Sequence, residues 1–78
     1  MTTPAPRVEE WQTLLGRKVS IRYKLHGDPA YPFSEAIGVV QAVTQGDAAS
    51  SVEILSRRGE VVTVAVSDVL AAKVFPAP

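Results

Sequence analysis

Residues 51 to 76 read SVEILSRRGEVVTVAVSDVLAAKVFP, and this stretch decides the fold. Val52 and Ile54 fall on one side of an extended chain, as do Val62, Val64 and Val66. Alternation with a period of two is the pattern of a strand with one buried face. Between the two runs, Ser56, Arg57, Arg58 and Gly59 suit a tight hairpin in which Gly59 takes the left-handed position of a bulged turn. Further on, Ser67, Asp68 and Val69 read as a single turn capped by Ser67 or Asp68, and residues 71–75 as a last strand stopped by Pro76.

Upstream the same logic finds two more strands. KVSIRYKL (18–25) puts Val19, Ile21, Tyr23 and Leu25 on one face and Ser20, Arg22 and Lys24 on the other, a half-buried strand with a basic outer face. EAIGVVQAVT (35–44) is apolar on both faces, so its inward residues are left open; Gly38 in its interior marks a bend, a bulge or a close backbone approach. QGDAAS (45–50) is a turn cluster. Before the strands, RVEEWQTLLG (7–16) carries helical signals. Val8, Trp11 and Leu15 recur at helical spacing, Glu9 and Glu10 occupy the first turn where the helix dipole favours anions, and Gly16 follows as a cap. A helix over 7–15 is too short to persist alone in water, so it must dock through Trp11. Residues 1–6 are read as a loose tail.

Five short strands joined in turn by a long loop (26–34), a medium loop, a tight hairpin and a one-turn helix define a mainly β fold. The expected architecture is an SH3-like small five-stranded barrel over 16–76 with a short N-terminal α-helix, in a single domain.

Composition narrows the function. A chain of 78 residues folds as one domain that buries only about 60% of its unfolded surface. Eight Lys and Arg balance eight Asp and Glu, so no global field draws in nucleic acid, anionic membrane or acidic substrate. Without cysteine and with one histidine, no disulfide framework, thiolate nucleophile or clustered metal site is expected. The start, MTTPAPRVEE, has no apolar leader, and no apolar run approaches the ~18 residues that span a bilayer. The expectation is a soluble, unexported, cytoplasmic chain with no membrane partner and no cofactor.

Across Gly16 to Pro76, the words GRKVSIRYKL, EAIGVV and RRGEVVTVAVSDVLAAKVFP resemble the SH3-like domain that precedes the catalytic domain in a family of actinobacterial GNAT-type N-acetyltransferases, and that also occurs in short actinobacterial proteins. The words that carry the resemblance are Gly16, Arg17, Val19, Ile21 and Arg22 at the opening, and Gly59, Asp68, Val69, Lys73 and Pro76 at the close. The resemblance implies a fold and an acetyltransferase neighbourhood, not a reaction. No glycine-rich pyrophosphate loop backed by a helix is present to hold acetyl-CoA. The aromatic-lined proline-binding groove of signalling SH3 domains has no counterpart either.

The densest stretch of unusual residues is HGDPAYPF (26–33). Tyr31 or Phe33, stiffened by Pro29 and Pro32, is read first as a plug for one open end of the barrel, a reading in which the other ring can face out. The alternative reading is an exposed aromatic shelf that binds a partner. Trp11 is read as the helix's anchor, or, if exposed, as a third partner-binding residue. His26 lacks a nucleophile or a second ligand nearby in sequence and is read as a solvated loop histidine, and Asp68 as a cap. Arg22, Lys24, Arg57 and Arg58 form a candidate basic patch. The reading that results is a non-enzymatic binding or assembly module with a protein partner, accessory in one form to an acetyltransferase. A weak nucleic-acid-binding barrel is the alternative, and self-association through barrel edges is a third course.

Overall fold

The computed structural model describes residues 2–4, 6–27, 30, 32–46 and 49–76. The elements run β1 (Thr2–Pro4), α1 (Val8–Thr13), β2 (Lys18–Lys24), β3 (Phe33–Gln45), β4 (Ser50–Leu55), β5 (Val61–Ala65), a 3-10 turn (Val66–Asp68) and β6 (Val69–Val74). One antiparallel sheet carries them in the order β1-β6-β2-β3-β4-β5. Strands β2 to β6 are the five expected from the sequence, wrapped into a small barrel-like sheet whose two ends are not joined by hydrogen bonds among the described residues. Strand β1 is an addition: Thr2, Thr3 and Pro4, read from sequence as part of a loose tail, pair with Lys73, Ala72 and Ala71 on the outer edge of β6.

Alternation decides which side chains go inside. Val19, Ile21, Val52, Ile54 and Val64 are buried as their spacing requires, and Val40, Val69, Ala36 and Ala72 complete the sheet's contribution to the core. The alternation of β2 fades towards its end, where Tyr23 is half-buried and Leu25 lies exposed beyond the strand.

The inward face of β3, left open by its composition, is set by Gly38. Ala36, Gly38 and Val40 point in, and Glu35, Ile37, Val39 and Gln41 point out. This strand has 13 residues and serves two partners. Lys18–Lys24 of β2 pair with its first half and Ser50–Leu55 of β4 with its second, with a bulge between Val40 and Ala42. At the changeover the two neighbours crowd together. A Cβ on Gly38 would fall on the backbone carbonyl of Leu55 and lie 3.1 Å from Ile54 Cγ2. Of the three sequence readings of Gly38, the close backbone approach is the one that the geometry requires.

The β4–β5 hairpin forms as its residues dictate. Gly59 N–H donates to Ser56 O (2.9 Å) and Ser56 N–H donates to Glu60 O (2.8 Å), with Gly59 at φ +85°. This is a type I turn followed by a left-handed residue, the three-residue bulged loop that favours glycine.

The helix is shorter than its sequence pattern, ending at Thr13 rather than Leu15. Its end is drawn to the sheet instead: Gly16, at φ +82°, donates its N–H to Val40 O (2.8 Å), and Val40 N–H donates to Arg17 O (3.0 Å). Trp11 is fully buried in the core cluster, so the helix closes the barrel with its one large side chain. Its Nε1–H finds no acceptor among the described residues, so apolar area holds the ring there.

Two stability predictions follow from these contacts. Gly38→Ala is expected to cost about 3 kcal/mol or more, since the added methyl meets backbone that cannot move aside. Its urea midpoint should fall further than that of Gly59→Val, whose open surroundings leave only the backbone strain of about 1–3 kcal/mol; equal midpoints would refute the close approach. Trp11→Ala should cost about 3–5 kcal/mol, a large share of what a domain of this size holds, and a thermal melt close to that of the parent chain would contradict the anchor role.

Candidate partner-binding surface

Residues directly opposite one another on neighbouring strands point to the same face, so the register identifies what the outside of the sheet presents. Lys18 on β2 pairs with Val39 on β3, Val39 with Leu55 on β4, and Leu55 with Val61 on β5. Phe75, just past β6, joins this row: its N–H donates to Lys18 O at 3.0 Å, and the Lys18 ammonium lies 5.2 Å from its ring centroid. Two positions along, Ile37 of β3 lies outside as well, opposite Ser20, which in turn is opposite Lys73. Ile37 is 52% and Val61 48% exposed, and Val39 is exposed too. The outer face thus carries an aliphatic strip across several strands, where a monomer's surface is normally broken by polar groups.

The strip lies in a groove of about 620 Å³ between the first half of β3 and the β4–β5 turn, with Ile37, Val39 and Leu55 in its lining. Lys18, Arg57 and Arg58 supply positive charge to its walls, and Glu35 and Glu60 negative charge. Among the described residues no ion pair ties these groups to each other, and Lys18 lies over the Phe75 ring.

The expected basic patch is divided. Arg57 and Arg58 share the groove with Lys18, whereas Arg22 lies in a second depression with Lys73 and Glu35. Lys24 sits at the far end of β2, opposite Phe33. Lys18, Phe75 and the aliphatic strip were not singled out from sequence, and Lys73 only as part of the family resemblance. The signal for Ile37 and Val39 was present in the alternation of β3, but it becomes readable only once Gly38 is assigned to the inner face.

The aromatic expectations are corrected in part. Phe33 does not plug the barrel: it is 46% exposed, with the Arg22 guanidinium 5.3 Å from its ring centroid. A ring on the outer face cannot fill the core, and Trp11 fills it instead. Trp11, fully buried, is correspondingly withdrawn from the partner-binding residues. Tyr31 lies outside the described residues.

The reading of Asp68 as a cap is corrected, and His26 acquires a partner. Asp68 does not cap the 3-10 turn, whose N-cap is Ala65 with no side-chain hydrogen bond. Its Oδ1 lies 2.9 Å from His26 Nε2, joining two segments 42 residues apart. His26 is therefore exposed, as expected, but has a partner. Among the described residues no group of three or more potential metal ligands forms, and no helix is long and apolar enough to cross a membrane.

The family model described as the Rv0428c N-terminal Sm-like domain matches residues 13–73, from the end of α1 through most of β6. No curated protein and no solved structure matches the chain.

Since Phe33 lies on the outer face and the His26–Asp68 pair is exposed on the histidine side, Phe33→Ala and His26→Ala should each reduce stability by no more than about 1 kcal/mol. Thermal melts of the two variants check this, and a loss of several kcal/mol for Phe33→Ala would return that ring to the role of plug.

Proposed function

Because the chain belongs to the Rv0428c N-terminal Sm-like domain family, a family of small β barrel-like modules, we propose that it is a non-enzymatic binding and assembly module whose protein partner adds a strand to the edge of β5. The observation that carries this reading is the unpaired side of that strand. β5 ends the strand order, with no strand beyond it among the described residues. In an antiparallel pair, closely and widely spaced hydrogen bonds alternate. The Ser56 N–H to Glu60 O bond fixes the phase of that alternation, so Val61 and Thr63 direct their N–H and C=O groups away from β4. A row of free backbone groups of this kind is a template for strand addition. Val61, exposed beside it, extends the template with apolar surface.

The narrower form, an accessory domain to an acetyltransferase, rests on the resemblance carried by residues 16–76. A second reading is supported by a separate observation. Arg22 lies over Phe33, and Lys18 and Lys73 lie over Phe75, at 5.2–5.4 Å from the ring centroids. Rings flanked by cations suit a single-stranded nucleic acid, with bases stacked on the rings and phosphates held by the cations.

The two readings separate in one experiment. Tagged full-length chain is used to capture partners from cells of its source, beside Thr63→Pro, which removes an edge N–H without taking a ladder bond. The expected result is a protein retained by the parent chain, insensitive to nuclease and lost by a folded Thr63→Pro variant. A folded Thr63→Pro chain that retains the same protein refutes the edge reading. Captured nucleic acid, released steeply by salt and lost by Phe33→Ala, would favour the second.

A further inference from the structure

We propose that the aliphatic strip on the outer face is the docking face for a second copy of this chain, in a two-fold dimer that packs sheet on sheet. It goes beyond strand addition at β5, because it uses side chains of the outer face and no edge hydrogen bond. The strip itself calls for a cover: Ile37 and Val39 stand exposed on the same outer face of β3, in one row with Leu55 and Val61.

The charges of the groove select the occupant. Its two flanks carry both signs. The β2–β3 flank offers Lys18 and Glu35, and the turn flank offers Arg57, Arg58 and Glu60. An anionic ligand or an acidic peptide would meet both carboxylates, and a basic one would meet all three cations. A second copy meets neither penalty. A two-fold axis running along the groove lays the turn of each copy over the β2–β3 flank of the other, setting Arg57 and Arg58 against Glu35, and Glu60 against Lys18. The contact is isologous, so each pairing occurs twice. Equal numbers of acidic and basic residues in the chain leave no long-range repulsion between copies.

The test is sedimentation equilibrium of the full chain from micromolar to millimolar concentration. A monomer–dimer equilibrium is expected. Ile37→Lys and Val39→Lys should each weaken it by about 30-fold or more, the loss that follows removal of a central contact, while circular dichroism shows the fold retained. Glu35→Arg alone, and Arg57→Glu with Arg58→Glu, should each weaken self-association through like charges. Mixed in equal amounts, these two variants should associate with each other, since every pairing in the mixed dimer regains opposite signs. Thr63→Pro should leave this dimer unchanged. A chain that stays monomeric throughout, a dimer indifferent to both lysine substitutions, or a mixture that fails to associate overturns the proposal. A dimer abolished by Thr63→Pro and unaffected by Ile37→Lys also overturns it, and leaves edge addition standing.

Discussion

The architecture depends on one missing side chain. β3 passes from β2 to β4 at Gly38, where the Leu55 carbonyl occupies the space that a Cβ would need. Without that approach the strand would have to end, and a second strand begin, to serve both halves of the sheet. With it, a single strand carries the curvature that a barrel-like sheet needs. The nearby bulge between Val40 and Ala42 adds to the bend, as an extra residue in one strand increases local twist. A glycine within a strand ordinarily weakens it; here it permits the curvature on which the enclosed core depends.

The same bend shapes the outer surface. By alternation, an inward Gly38 turns Ile37 and Val39 outward at the junction where β4 leaves β3. The hairpin turn that follows β4 forms the other wall, so a groove opens between the turn and the first half of β3. The groove's charges come from two strands, Lys18 on β2 and Glu35 on β3, and from the β4–β5 turn, Arg57, Arg58 and Glu60, and the curvature of the sheet brings them together. The fold thus leaves two kinds of feature exposed: a backbone edge at β5, and an aliphatic face next to it. Strand addition has little dependence on side chains, whereas packing on a face depends on them strongly.

The core leaves little reserve. With no cysteine to cross-link the chain, stability rests on apolar burial in a small domain, where the buried fraction of the surface is low. Trp11 supplies the largest fully buried side chain from a helix of six residues, a length that does not persist in isolation. Helix and barrel therefore form together: the helix needs the sheet to fold against, and the sheet needs the indole to fill its interior. The link from Gly16 to Val40 joins the end of the helical segment to the strand that carries the bend.

Much of this was legible in the sequence, because alternation, capping and turn chemistry are local. The strands, the bulged turn at Gly59, the anchor role of Trp11 and the core positions Val19, Ile21, Val52, Ile54 and Val64 all follow from residues a few positions apart. The facing of β3 was not legible, since both of its faces are apolar and they are distinguished by contacts across strands, the pairing of Gly38 and Ala36 with the inward Val19 and Ile21 and the approach of Leu55 to Gly38. Nor was the pairing of His26 with Asp68, nor the strand formed by Thr2–Pro4 on β6, because each joins segments far apart in the chain. The candidate surface divides in the same way. That Arg22 and Lys24 point outward was determined by the period of β2. That Arg57 and Arg58 share a groove with Lys18 and Ile37 rather than with Arg22 was decided by the tertiary structure, because proximity across strands is set by register and by the curvature of the whole sheet, which no local pattern encodes.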